Sequence, residues 1–244
     1  VWEDGTTKIA YSQRRRYLLG RETNGLMNYP FRTALMAFLL GGGAEYFRDS
    51  MEQLRENYPA PAFYGAMNFL STHDTPRLLT ILGLSTPAPQ TRDERAVYRL
   101  SEEELAHGKA LLKLASLILY TFPGSPMLYY GDEAGLTGMA DPFNRGTYPW
   151  GQEDTELIAY FQKLGELHKR AKGGCAFAGR GDVFALYRPE VICMVNRSCE
   201  PVTACFADKD FCGNIRAGLE NGCIERELPP YGAAILIKGQ EERA

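Results

Sequence analysis

The stretch Asn68-Phe69-Leu70-Ser71-Thr72-His73-Asp74-Thr75-Pro76-Arg77 passes from apolar to polar, titratable and turn-forming residues within a few positions. Upstream of it, Ala62 to Phe69 mixes aromatic and small apolar residues without alternation, the pattern of a strand covered on both faces. Thr75-Pro76 breaks the run, and Arg77 to Leu82 then reads as the start of a helix. His73 and Asp74 are therefore expected at the carboxyl end of a parallel strand. In open α/β sheets and (β/α)8 barrels that edge holds the ligand and the chemistry. A plainer reading stays open at this point: a hydrogen-bonded turn in which Asp74 caps the following helix.

A second stretch ends the same way. Phe122-Pro123-Gly124-Ser125-Pro126-Met127-Leu128-Tyr129-Tyr130-Gly131-Asp132-Glu133 runs from apolar to acidic, and Asp141-Pro142-Phe143-Asn144-Arg145 comes shortly after. Read alone, Asp141 and Arg145 fit a surface ion pair in a proline-containing loop as well as they fit a binding site. Asp132 and Glu133 are adjacent, and adjacent residues on a strand point to opposite faces. They cannot share one substrate, so at least one is expected to be structural.

The segments around these two stretches set the fold class. Gly25 to Tyr29 reads as a short strand stopped by Pro30, with a helix from Phe31 to Leu40, since proline is favourable at a helix start. Gly41-Gly42-Gly43 ends that helix. No Lys-Ser or Lys-Thr comes after the glycines, so a hinge is expected rather than a phosphate loop. Ala44 to Asn57 gives a second helix, with Tyr46, Phe47, Met51 and Leu54 at near-helical spacing. Ser101 and Glu104 form a capping box for a helix reaching about Tyr120. Met127 to Tyr130 is the next expected strand, and Asp154 to Lys172 a further helix capped by Asp154. Strands alternating with helices predict a parallel sheet with helices outside it.

From Cys175 onward the pattern changes. Val183 to Tyr187, Val191 to Val195, Val202 to Phe206 and Ala233 to Ile237 are short β-rich runs separated by turn residues, as in an antiparallel β domain. The expected division is an α/β part over residues 1–172 and a β domain over 173–244.

Composition excludes several classes. The chain of 244 residues is 45% hydrophobic and 23% charged with a net charge of −3, as in globular proteins. Arg14-Arg15-Arg16 is too short for a nucleic-acid stripe, and no run of about eighteen apolar residues exists, so neither nucleic acid nor membrane is expected as a partner. Val1 begins neither a signal peptide nor a native start. The six cysteines all lie beyond residue 174, show no Cys-x-x-Cys pair and have no histidine among them, so a zinc set is not expected. Free thiols serving as small core hydrophobes are the favoured reading, with Cys193 and Cys205 inside strand-like runs; disulfides are the alternative. Asn196-Arg197-Ser198 is formally a glycosylation triplet.

Phe69 to Asp74 resembles the strand-seven motif of the α-amylase family of glycoside hydrolases. Thr72 stands where that family usually has Asn, which puts the hydrogen bonds of that side chain in question. Pro123 to Arg145 resembles the family's strand eight and the loop after it. The match is best to the neopullulanase, cyclomaltodextrinase and maltogenic amylase branch, in which Asn28-Tyr29-Pro30-Phe31-Arg32 also has a counterpart. Pro229 to Ala233 resembles the last-strand signature of the small sandwich that comes after the barrel.

The resemblance implies the carboxy-terminal part of a (β/α)8 TIM barrel, about strands six to eight, followed by a small antiparallel β-sandwich. It implies retaining cleavage of α-1,4 or α-1,6 glucosidic bonds in maltodextrin, cyclodextrin or pullulan. Val1-Trp2-Glu3-Asp4 resembles the residues just after the family's general acid, so the nucleophile Asp and acid/base Glu would precede residue 1 and the chain alone is expected to be inactive. Asp74 matches the third carboxylate, which stabilises the transition state, and His73 the donor to the same sugar. Asp141 and Arg145 resemble the pair that grips the next sugar, while Trp2 and Tyr29 are candidates for stacking on sugar rings. No cofactor is implied; calcium sites of the family lie mostly in segments this chain does not contain. The implied partners are α-glucan oligosaccharides and either the missing amino-terminal part or a second copy. Cytoplasmic location is expected, with extracellular location as the alternative. The rival function is a non-catalytic scaffold on the same barrel, or a carbohydrate-binding protein.

Overall fold

The computed structural model describes residues 23–85, 88–219 and 221–239. Trp2 and the Val1–Asp4 motif lie outside the described residues.

The α/β part is built on three parallel segments. Met27 bridges Met67 in parallel, strand β1 (Met67–Phe69) comes next, and β2 (Ser125–Met127) pairs with β1 in parallel, Met67 opposite Ser125. These segments are shorter than the sequence suggests. Gly25 to Tyr29 contributes a single bridge, because Asn28 is already the cap of helix α1 (Tyr29–Leu39), its side chain accepting from Phe31 N. Ala62 to Phe69 is not one strand. Pro59 and Pro61 start a short helix, α3 (Ala60–Tyr64), that Gly65 stops, leaving only the last residues for β1. Likewise β2 ends at Met127, and Leu128 to Tyr130 leave the strand for a series of turns.

A buried amide chain fixes the alignment of these segments. Asn28 Nδ2 donates to Asn68 Oδ1 at 2.8 Å, and Asn68 Nδ2 donates to Pro123 O at 2.8 Å, with both side chains in the core. Buried amides are stable only when paired. Asn68→Leu keeps the volume but strands the Asn28 amide and the Pro123 carbonyl. It is expected to cost about 1–3 kcal/mol in urea unfolding, and an unchanged midpoint would show that the chain of amides is dispensable.

Helices cover this sheet. After α1, Gly41 turns the chain with φ 124° into α2 (Ala44–Asn57), which buries Phe47, Met51 and Leu54. Beyond the polar stretch come α4 (Leu78–Gly83) and α5 (Arg92–Val97). Helix α6 (Glu102–Thr121) opens with the Ser101–Glu104 capping box and buries almost every residue of its last three turns. It packs so tightly on α4 that a Cβ on Gly83 would meet Glu104 O at 2.4 Å. Glu104 also accepts from Ser85 N, Ser85 Oγ and Tyr98 Oη, which fastens the α4–α6 connection and depresses this carboxylate to about 2. Helix α7 (Thr155–Arg170), capped by Asp154, lies beside α6.

The β part begins at β3 (Ala176–Arg180). With β4 (Val183–Arg188), β5 (Val191–Asn196), β7 (Cys212–Gly213) and β9 (Ala233–Ile237) it makes an antiparallel sheet of order β7-β3-β4-β5-β9; β6 (Val202–Ala207) and β8 (Cys223–Leu228) form a second, two-stranded sheet. Alternation along β4 and β5 divides the larger sheet's faces. Phe184, Leu186, Cys193 and Val195 join the core under the helices, whereas Val183, Ala185 and Met194 meet Ala204, Phe206, Ile224 and Leu228 between the sheets. The larger sheet is thus a layer shared by both halves. Arg188, buried on β4, pins the junction by donating to Thr121 O, Gly173 O and Gly174 O.

All six cysteines are unpaired. Burial pushes the thiols of Cys175 and Cys193 up, to about 11 and about 12. Cys205 departs from the expectation of a core thiol: it lies on β6, but on the face turned to solvent. Asn196 of the glycosylation triplet is fully buried, donating to Glu200 O and Pro229 O and accepting from Ser198. No glycan could reach it in the folded chain.

Candidate active site

Leu70, Ser71 and Thr72 carry the chain past the end of β1, and the turn they open is closed by Thr72 itself. Its backbone N–H donates to Thr75 Oγ1 at 2.9 Å and its hydroxyl accepts from Asp74 N at 3.2 Å. A threonine can therefore hold this turn through its hydroxyl. Asp74 does not cap the next helix, because Arg77 occupies the cap position of α4. His73 and Asp74 instead project into solvent, with side chains 60% and 63% exposed.

On the far side of the same rim, Arg145 binds both acids. Its Nε pairs with Asp141 Oδ1 and its Nη2 lies 3.9 Å from Asp74 Oδ1, while His73 Nε2 is 3.3 Å from that same Asp74 oxygen. Four of the residues singled out in the sequence thus form one ionic cluster. Tyr29 opens α1 with its ring edge-on to Phe69 at 4.7 Å. Among the described residues no set of three His, Cys, Asp or Glu could hold a metal ion.

The residues that hold this cluster together were less apparent from sequence. Arg77 is entirely buried against the Tyr129 and Tyr130 rings, 4.2 and 4.6 Å from their centroids, while the two rings meet edge to face at 4.8 Å. Its guanidinium donates to Asn144 O at 2.8 Å and to Tyr130 O, and lies 3.4 Å from Asp132 Oδ1. Asn144, also buried, answers in the other direction, donating to His73 O at 2.8 Å and Thr75 O at 2.7 Å. Arg77 and Asn144 therefore tie the loop bearing His73 and Asp74 to the loop bearing Asp141 and Arg145. Gly138 completes the tie: Arg77 N donates to its carbonyl, and a Cβ there would collide with Phe143 O at 2.3 Å.

Asp132 is the structural member of the acidic pair. It lies in turns rather than on a strand as expected, is buried, and accepts from Ser71 Oγ. Burial pushes its carboxyl up to about 6, with Ser71 and Arg77 pulling the other way. The signal that could have exposed this support is a lone arginine directly before Leu78-Leu79, with a Tyr-Tyr pair elsewhere able to receive a cation on its rings.

Chemically, the exposed cluster offers two carboxylates to accept from hydroxyls, and an imidazole and a guanidinium to donate. That mixture suits a polyhydroxylated, uncharged ligand.

Comparison with known proteins is decisive at the level of family. The model of the α-amylase catalytic domain matches residues 6–172, more than half of the chain. The chain belongs to the α-amylase family. Among family members, an amylopullulanase of Thermoanaerobacter thermohydrosulfuricus is 38% identical over 159 residues, covering 60% of this chain and 10% of its own. A cyclomaltodextrinase of Geobacillus thermopakistaniensis is 31% identical over 240 residues, covering 88% of this chain and 37% of its own. This α-amylase-family chain therefore spans only a fraction of the length of the relatives it matches. Among solved structures, the cyclic α-maltosyl-(1→6)-maltose hydrolase of Arthrobacter globiformis, in complex with that cyclic sugar, superposes with a TM-score of 0.70 at 26% identity over 90% of this chain and 46% of its own. The debranching enzyme of Nostoc punctiforme shares the fold, with a TM-score of 0.71 at 22% identity over 94% of this chain and 50% of its own.

Proposed function

We propose that this chain supplies the carboxy-terminal share of a retaining α-glucan-cleaving site. The Met27 segment, β1 and β2 correspond on this reading to barrel strands six, seven and eight, and β3 to β9 to the sandwich behind them. The observation that carries the proposal is the meeting of His73, Asp74, Asp141 and Arg145 at one strand rim. The substrate would be a maltodextrin, cyclodextrin or pullulan, in keeping with the names of the relatives.

In this scheme Asp74 accepts from the ring hydroxyls of the reacting sugar. It stabilises the flattened, positively charged ring as that forms, and His73 donates to the same sugar. Interactions of this kind accelerate the reaction only in so far as they strengthen in the transition state. Asp141 and Arg145 hold the neighbouring sugar. Retaining cleavage also needs a nucleophile and an acid about 5–5.5 Å apart, and the proposal assigns neither role to a residue of this chain. Those two carboxylates would come from polypeptide outside the 244 residues, in keeping with the 37% of the cyclomaltodextrinase that this chain covers. The unpaired thiols fit a reducing, cytoplasmic setting, and the reaction requires no cofactor.

Calorimetric titration of the full chain with maltoheptaose tests the reading. Binding is expected, Asp74→Asn and Asp141→Asn are each expected to weaken it about tenfold, and pullulan is expected to release no reducing ends. Unchanged affinity in both variants, or turnover by the chain alone, would overturn it.

A further inference from the structure

The ionic cluster has a neighbour that neither the family motifs nor the relatives' names assign. Helix α5 sits across from the Asp141 loop and encloses with it a cavity of about 380 Å³, open to solvent and lined by Arg92, Arg95, Ala140, Asp141, Pro142 and Phe143. That size lies near the lower end of ligand pockets, which run from roughly 300 to 1,000 Å³. One wall is Asp141, whose carboxylate already holds Arg145, so this cavity and the cluster share a side chain. The opposite wall carries two guanidiniums. Arg92 is exposed, and Arg95 is half-buried, its Nε donating to Pro89 O at 3.2 Å. Pro142 and Phe143 line the cavity as well.

The Asp141 carboxylate in the wall repels a compact anion, whereas guanidiniums donating to hydroxyl oxygens beside it suit one more ring of a glucan. The α5 helix is closed at its start by the Thr91–Glu94 capping box, with both reciprocal bonds made. We infer that Arg92 and Arg95 form an outer subsite, which takes the glucose unit lying beyond the one gripped by Asp141 and Arg145. The inference rests on the proposed glucan-binding role of the cluster. It makes α5 a determinant of chain-length preference, since only oligosaccharides long enough to pass Asp141 would reach it.

The test is a titration of the full chain with maltotriose, maltopentaose and maltoheptaose, in wild type, Arg92→Ala/Arg95→Ala and Asp141→Asn. Wild-type affinity is expected to rise with length. The double arginine variant is expected to lose about fivefold for maltoheptaose while keeping maltotriose unchanged, and Arg92→Lys/Arg95→Lys to recover part of the loss. Both arginines are solvent-accessible, so thermal unfolding of the double variant should match wild type. If Asp141→Asn weakens every oligosaccharide but the double arginine variant binds all of them as wild type does, the outer subsite is overturned and the glucan reading stands. If Asp141→Asn changes nothing, or no glucan binds, both fall. An effect of the arginines on inorganic phosphate binding without any on maltoheptaose would also overturn the subsite, marking an anion site instead.

Discussion

Replacement of Arg77 by methionine is expected to lower the unfolding free energy by about 3–5 kcal/mol, the cost of breaking a buried charge pair by removing one partner. The side chain is fully enclosed, and its donors serve Asn144 O, Tyr130 O and Asp132 together. Lysine should not substitute, because a single ammonium cannot reproduce the planar fork or its contact with both tyrosine rings. The loss carries a pH signature through Asp132. Its carboxyl stands at about 6 in the folded chain against an ordinary 3.8, so the folded state holds this proton more tightly than the unfolded one. The stability Asp132 contributes is complete below the lower value and is lost as pH rises through the higher, on the order of 2–3 kcal/mol in all. Without the nearby guanidinium the carboxyl should rise further, and the decline should move to higher pH. Urea midpoints between pH 4 and 8 would show this in Arg77→Met, and an Asp132→Asn chain should lack the decline. A pH-independent midpoint in the wild type would contradict the account.

Phe184→Ala is the second large effect, expected at about 3–5 kcal/mol, as for other fully buried phenylalanines. Phe184 sits on the helix-facing side of β4, with its ring 4.6 Å from Phe47 and 6.3 Å from Phe38. The damage should therefore cross from the sheet into the helices. The chain's two tryptophans, Trp2 and Trp150, both precede the β part, which makes fluorescence a reporter of the α/β part alone. Phe184→Ala should lower the fluorescence midpoint as much as the circular-dichroism midpoint. Phe206→Ala, on the inner face between the sheets, should lower the latter more than the former. Separate movement of the two signals in Phe184→Ala would show that the halves are not joined through this face.

The sequence was most informative where local rules decide the outcome. Ala44–Asn57 and the capping box at Ser101 are where spacing and side-chain chemistry put them, because both depend on neighbours within a turn or two. It was least informative for strands. Only three residues each remain in β1 and β2, and their lengths depend on what pairs across from them, which no local pattern contains. The prolines at 59 and 61 did carry a helix-start signal, but the apolar run around them hid it. At the site, His73 and Asp74 stood out at the end of an apolar run, whereas Asp141 and Arg145 fit a surface ion pair until the resemblance of both stretches to the family's motifs gave them a role. Arg77 and Asn144 escaped notice because their partners are chiefly backbone carbonyls of the opposite loop, and such partners leave no trace in sequence.

The paired amides of Asn28 and Asn68 bear on how this chain could be recombined with its relatives. Since Asn68 bonds outward on both sides, to Asn28 and to the Pro123 carbonyl, a donor sequence joined between these positions would meet the wrong counterpart on one flank. Crossover points placed before Leu26 would transfer all three segments with their own alignment intact. Chimeras cut inside that interval should express poorly where the two parents differ at position 28 or 68.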